Sequence, residues 1–557
     1  MRRGGALARI EVTPDAAKIL SSIFWTIAMR GRTTRRAFLG QSLLAPGALA
    51  ALGLLPCGAT EPTSEQSPAA EAKPTLDEIL DRYWDQIHPA MRYRRAPLDP
   101  TLNGWEEWKK PQPSVAGDEI YDAAVDFANR GEFPTGALGK ETRLWLHKNA
   151  AVLDALDRGL ARKRVQLQVD LGLSDQMQLI QLRKAVRAKR LDALRQIADG
   201  NRKEGLEQMI DVLRVGERVC SGEGYLVHWM IGSAIRSDAL ACLRQLALAA
   251  ATSVVELRQM LSAVAGPFDL RRSLAVSLQV EYCYFELSWL AEYGGSKNLA
   301  ELIDRLLENE DAGFLGPDEA QLALQRRRLN ELLAEHPCPF DLNETIRLTS
   351  QARADFLADL DTPWARRRRN FGEEIAARVA AWPKVLTFGN SFSDADEQQR
   401  KLKELSDEAV AAARVRLRDV KNLVGCLLAK TNGMWDSRQM YTIALTRDAA
   451  TRAALALQIH RREHGDLPER LEQVRSAATP DLPDDPFSGE PFRYSQKHGL
   501  LWSVGPDGDN DPLAARAEDG MGHLDLVWPL TVEAADRLRR IKVGPSEEVQ
   551  DETLVEE

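Results

Sequence analysis

No two of the six cysteines (Cys57, Cys220, Cys242, Cys283, Cys338 and Cys426) stand in a C-x-x-C pair, which excludes a structural zinc site of the usual spacing. Cys57 falls in the targeting region, leaving five, an odd number, scattered through helical sequence. Buried free thiols are the plain expectation there, and a single disulfide is the alternative. Basic charge is also short. The formal net charge is -9, and the first 56 residues hold 8 Lys/Arg against 2 Asp/Glu. The rest therefore carries 65 basic against 80 acidic groups, a balance of -15. Nucleic acid is excluded as the main partner, because phosphate binding needs a concentrated basic face. Broad docking on anionic lipid is disfavoured for the same reason. Glycine-rich phosphate loops, nucleophile elbows and dinucleotide fingerprints are missing. No fixed period of 33 to 47 residues is visible, so no named helical repeat is assigned.

What is present begins with an address. Residues 34–40 read Thr-Arg-Arg-Ala-Phe-Leu-Gly, and an apolar run follows from Leu43 to Leu55, interrupted by Pro46 and Gly47. That run is too short for a membrane span of about 20 residues and suits a signal h-region. Arg35 and Arg36 resemble the pair of the twin-arginine export motif. Leu54-Leu55-Pro56-Cys57 resembles a lipobox, which implies lipidation of Cys57 and membrane attachment through that anchor. Pro56 departs from the small residue that the pattern calls for. Cleavage after Ala48-Leu49-Ala50 is the competing route, and an uncut N-terminal anchor is a third. Met29 is an alternative start. Residues 58–75 are rich in Pro, Ser, Glu and Ala without apolar periodicity and read as a solvated tether.

At 557 residues the chain is long enough for two or three domains. From 76 to 435 the periodicity is helical. Leu206, Met209, Ile210 and Leu213 recur at three and four, while Tyr225 to Ala250 is apolar nearly all round. Further helices are predicted at roughly 254–265, 269–293, 298–308, 317–335, 343–360, 366–381 and 395–430, separated by turn signals such as Gly266-Pro267 and His336-Pro337. Trp105 and Trp108, three apart on a short helix, are read as core anchors, with sugar stacking as the alternative.

Around residue 440 the pattern changes. A small-residue stripe (Ala450, Ala453, Ala454, Leu457) runs into His464-Gly465-Asp466-Leu467-Pro468, where glycine and proline end the helix. Asp485-Pro486-Phe487-Ser488-Gly489 follows, then short strands at 491–494, 500–504 and 524–528. This order, with Ser503-Val504-Gly505-Pro506-Asp507-Gly508 between the last two strands, resembles the globular end of the type II secretion major pseudopilin over residues 440–530. The same ending, on a helical body, is similar to that of uncharacterised bacterial envelope proteins. The long apolar N-terminal helix of pseudopilins is not part of the likeness. The resemblance implies a calcium loop, with Asp507, Asp509, Asp511 and Asp525 as the matching ligands for Ca2+. Alternating carboxylates suit a hard cation that takes six to eight oxygens, and a solvated acidic turn is the alternative. Asp507, Asp509, Asp511 and Glu518 also mimic an EF-hand loop, but Pro512 replaces the required glycine and strands flank it.

Two catalytic patterns compete with structural readings. His460-Arg461-Arg462-Glu463-His464 spells H-x-x-E-H, in which two helical histidines hold zinc and the glutamate activates water. His228 and Glu281 lie in apolar helices and could form a buried acid/base pair. A helix end and a satisfied core contact are the respective alternatives.

The expected fold is mainly α, a multi-helix bundle or irregular helical array followed by a small α+β module with a short antiparallel sheet. The expected organisation is an export signal (1–57), linker (58–75), helical domain (76–435), pseudopilin-like module (436–532) and acidic tail (533–557). The expected role is non-catalytic assembly or binding outside the cytoplasm. The partner is an envelope protein or cell-surface component, with no nucleic acid. An exported hydrolase with its site in the helical domain is the alternative.

Overall fold

The computed structural model describes residues 74–109, 118–169, 173–293, 319–366, 373–383, 385–386, 395–431, 434–474, 482–506, 508 and 526–543. The chain is mainly helical and ends in a small antiparallel sheet. Its first helices are α1 (Leu76–Tyr83), α2 (Trp105–Trp108), α3 (Asp118–Asn129), α4 (Gly136–Lys148) and α5 (Ala150–Ala161). The long central helices follow: α6 (Leu173–Ala198), α7 (Arg202–Cys220), α8 (Leu226–Leu248) and α9 (Val254–Val264). Next come α10 (Leu270–Glu281), a π turn (Tyr282–Glu286), α11 (Leu287–Tyr293), α12 (Glu319–Leu333) and α13 (Leu342–Ala358). The last are α14 (Glu373–Arg378), α15 (Ala395–Glu404), α16 (Asp407–Leu417), α17 (Leu423–Thr431), α18 (Met434–His464) and α19 (Val532–Val543).

Local chemistry starts many of these helices. Thr75 with Glu78 and Ser253 with Glu256 form reciprocal capping boxes on α1 and α9. Asp341 and Ser406 each accept an N–H of the first turn of α13 and α16. The predicted stripe of α7 is buried at Leu206, Met209, Ile210 and Leu213, against a near all-round apolar α8. Two glycines set how closely those helices approach. A Cβ on Gly216 would lie 2.8 Å from both Arg236 N and Gly232 O, and one on Gly232 would lie 2.7 Å from Cys220 N. Backbone packs on backbone there, an approach any side chain would hold apart. Trp105 and Trp108 are core residues, as anticipated; the Trp108 indole donates to Leu156 O at 3.3 Å and fills the space over Gly159.

The predicted helix 395–430 is instead α15, α16 and α17. Ser406 starts a new helix by capping it. Asn422 takes a left-handed conformation with φ +53°, and its Oδ1 accepts Asp341 N at 2.8 Å and Thr345 Oγ1 at 3.1 Å. The predicted 366–381 helix contracts to α14 among the described residues. Cys220, Cys242, Cys283, Cys338 and Cys426 are free thiols, all but Cys338 buried. No helix among the described residues is long and apolar enough to cross a membrane.

Helix α18 joins the helical body to the sheet. Leu455 packs in the core of α6–α9, while Ala449, Ala450, Ala453, Ala454 and Leu457 pack with Phe492, Leu501, Trp528 and Leu530. Small side chains let the sheet lie close on the helix. The strands β1 (Arg493–Ser495), β2 (Leu500–Ser503) and β3 (Leu526–Pro529) pair in the order β1-β2-β3, with Tyr494 opposite Leu501 and Leu501 opposite Trp528. The Asp485-Pro486-Phe487 turn is pinned to the helical body, because Trp364 N and Ala365 N donate to Pro486 O (3.0 Å) and Phe487 O (2.9 Å).

Candidate functional site

The export arginines Arg35 and Arg36, the lipobox-like Cys57 and the acidic-loop residues Asp507, Asp509, Asp511 and Asp525 lie outside the described residues. The loop is approached from β2, whose end is fixed by Asp485. That carboxylate, 1 % exposed, accepts Ser503 Oγ at 2.7 Å, Phe487 N at 3.0 Å and both Ser488 Oγ and Val504 N at 3.3 Å.

His228 and Glu281 are both buried, and both are engaged by the start of α8. The Tyr225 N–H donates to His228 Nδ1 at 3.0 Å, and the next N–H, of Leu226, donates to Glu281 Oε2 at 2.7 Å. First-turn N–H groups have no partner within their own helix, and a carboxylate there also meets the positive end of the helix dipole. Burial, then the Arg95 charge, pulls the His228 pKa down to about 4. Protonation of Nδ1 would in addition displace the Tyr225 N–H. Burial pushes Glu281 up, against the lowering effect of Arg353. Arg353 forms an ion pair with Glu286, which the π turn aims at it, and lies over the Tyr282 ring. Tyr282 in turn donates to Ile346 O at 2.8 Å. These contacts join α8, α10 and α13 through buried polar groups.

In the H-x-x-E-H segment the two rings stack, with His460 and His464 centroids 4.1 Å apart. Glu463 turns away to Arg258 on α9 at 2.6 Å. His464 Nδ1 is 3.0 Å from His460 O, its own preceding turn. Among the described residues no three His, Cys, Asp or Glu side chains are grouped to hold a metal ion.

The open concavity of the helical body lies along the polar face of α7. It encloses about 850 Å³ between α5, α7, Lys189 of α6 and the Pro267-Phe268 turn. Asp157, Glu204, Glu207, Asp211 and Glu217 line it, with Lys189, Arg214 and Arg218. Asp211 is paired with Arg214 at 3.0 Å and Lys189 at 3.8 Å, and Lys189 also meets Asp157. Glu217 faces Arg236 at 3.5 Å. Glu204 and Glu207, one turn apart, have no ion-pair partner among the described residues and are exposed. The groove therefore offers free carboxylates beside an apolar floor of Leu160 and Phe268. Glu204, Glu207 and Asp211 recur at three and seven, opposite the Leu206-Met209-Ile210-Leu213 stripe. The sequence does not single them out, because only the neighbouring helix and turn make that face concave.

Compared with protein-family models, with curated proteins and with solved structures, the chain matches none.

Proposed function

We propose that the chain is an exported envelope protein with a non-catalytic binding role. Arg35 and Arg36 supply the export signal, and Cys57 carries the lipid anchor where the lipobox route is taken. The tether holds the helical body clear of the membrane, and calcium stiffens the C-terminal module. The observation that carries the binding role is the α7 groove, whose unpaired Glu204 and Glu207 flank an apolar floor. Such a lining suits a protein segment that brings lysine or arginine together with an apolar side chain. Charge complementarity of this kind directs encounter and selects partners. The use of His228 and Glu281 as helix caps gives those buried groups a structural task and fits a body built for binding.

The test is calorimetric titration of the full chain with a lysine- and leucine-containing peptide, and with its glutamate-for-lysine counterpart. Saturable binding of the basic peptide alone, weakened in Glu204→Gln/Glu207→Gln and by salt, is expected. Equal affinity for both peptides, or no effect of the double substitution, would remove the groove from the function.

A further inference from the structure

Arginines collect on one edge of the α8–α18 seam. The two helices run side by side in the same direction: Ser237 meets Arg447, Arg244 meets Thr451, and Ala249 O accepts from Arg462 at 2.8 Å. On the other edge of this seam the charges are matched. The Asp448 carboxylate accepts from Arg236 across the seam and from Arg452 one turn on. Opposite them, Arg447 Nη1 reaches only the Ser237 hydroxyl, at 3.3 Å, and Arg244 Nη1 only that of Thr451. Neither guanidinium has a carboxylate within ion-pair distance among the described residues, although both are half-buried.

Helix α6 adds two more. Arg187 and Arg190 lie over the Tyr121 ring of α3, at 4.9 and 5.6 Å from its centroid. Arg190 donates to the Tyr121 hydroxyl at 2.6 Å, and its Nε is buried with no partner. One carboxylate, Asp238 of α8, links the two sets. It stands 3.7 Å from Arg190, with its side chain 52 % exposed, and its charge reaches Arg447. Cys242, one turn on, lies in the field of both Arg190 and Arg244. Asp238 is thus paired with Arg190, while Arg187, Arg244 and Arg447 have no carboxylate within ion-pair distance among the described residues, in a chain of net charge -9.

Holding cations together out of water is costly unless an anion offsets them. Burial, with Arg447 next to it, pulls Arg244 down to about 9, and burial lowers Arg447 too. The same pair of helices shows with Arg236 and Asp448 how a structural arginine is neutralised here. On the α6-facing edge Asp238 pairs, of these four arginines, with Arg190 alone, and the other three keep guanidinium forks, whose geometry matches planar or tetrahedral oxyanions.

We propose that the face formed by Arg187, Arg190, Arg244 and Arg447 binds a multiply charged oxyanion, the phosphate or sulfate class, with Asp238 setting its limit of charge. Such an anion has two sources, the free ion and a phosphate carried on a lipid headgroup. The experiment follows the melting of the full chain in sodium phosphate and in sodium chloride at equal ionic strength, with calorimetry on inorganic phosphate. A parallel arm uses vesicles of phosphatidylglycerol in phosphatidylcholine. Phosphate is expected to raise the melting temperature of the wild type, because a ligand of the folded state stabilises it. Affinity is expected to fall about tenfold, or about 1.4 kcal/mol, in Arg244→Gln and in Arg447→Gln, and to stay unchanged in Arg214→Gln, which alters the acidic groove. Vesicle binding that is lost in the same two variants, without an effect of free phosphate, would assign the headgroup as the source. No response of the wild type to phosphate or vesicles would overturn the proposal, as would equal binding by Arg447→Gln. The wild-type arm decides even if a variant fails to fold.

Discussion

The carboxylate of Glu281 accepts the backbone N–H of Leu226 at 2.7 Å, across fifty-five residues of chain. A side chain on α10 thereby caps the first turn of α8, the helix at the centre of the body. The contact is buried, so its loss leaves an unsatisfied N–H in the core. Glu281→Ala is expected to cost about 1–3 kcal/mol in chemical denaturation. Glu281→Gln keeps an acceptor oxygen and is expected to cost less. A Gln variant as damaging as the Ala variant would show that the charge, rather than the cap, matters.

His228 gives the neighbouring cap a pH dependence. Its folded pKa of about 4 lies below the ordinary 6.5, so on acidification the unfolded chain takes up its proton first. The contribution is complete above pH 6.5 and is lost as the pH falls toward 4, in total about 3 kcal/mol at 1.36 kcal/mol for each pKa unit. Glu281, shifted upward by burial, acts in the opposite sense: its folded form takes up a proton first, so acidification there adds stability. His228→Gln keeps an acceptor for Tyr225 N–H and removes the titration. The wild-type advantage over this variant is expected to shrink steadily between pH 7 and pH 4 in urea melts. A difference that stays constant with pH would rule the His228 shift out.

The mainly helical body and the three short strands were legible, because helical and strand periodicities come from nearby residues. The all-round apolarity of Tyr225 to Ala250 marked α8 as central, and α8 packs on α7, α10 and α18. The break at Asn422 was not legible, since its left-handed backbone is held by Asp341 and Thr345, about eighty residues earlier. The candidate site was hidden for a related reason. Glu204 and Glu207 look like any solvated helix face until Pro267 and Phe268 close one wall of a groove. His228 and Glu281 were singled out together, and they do serve adjacent N–H groups; the sequence could not say that both would be occupied in capping a helix.

The Gly216–Gly232 contact offers a test of how tightly α7 and α8 pack. A Cβ at Gly216 would meet backbone atoms of Arg236 and Gly232 at 2.8 Å, and backbone cannot swing aside as a side chain can. Gly216→Ala is expected to lower stability by about 1–3 kcal/mol through forced separation of α7 and α8. A Cβ at Gly136 would meet nothing within 4 Å, but the φ there is +64°, so Gly136→Ala reports backbone strain without crowding. A Gly216→Ala chain as stable as wild type would mean that the two helices part without cost.

Asp485 holds the end of β2 and Asp507 follows that strand in sequence; their substitutions separate a turn from a metal site. Asp485 accepts four donors, including Ser503 Oγ at 2.7 Å, while 1 % exposed. Asp485→Asn turns one acceptor into a donor and is expected to cost about 2–3 kcal/mol, equally with calcium and with chelator. Asp507 is a ligand candidate in the proposed calcium loop, so Asp507→Ala is expected to behave differently. It should leave the chelated chain unchanged and abolish the rise in melting temperature that calcium gives the wild type. One calcium per wild-type chain by mass spectrometry, absent from Asp507→Ala, is the accompanying readout. A chain that binds no calcium, and melts identically with and without it, would leave 507–511 a solvated acidic turn. The Asp485 result would then still stand, because a carboxylate that closes a turn through four protein donors needs no ion.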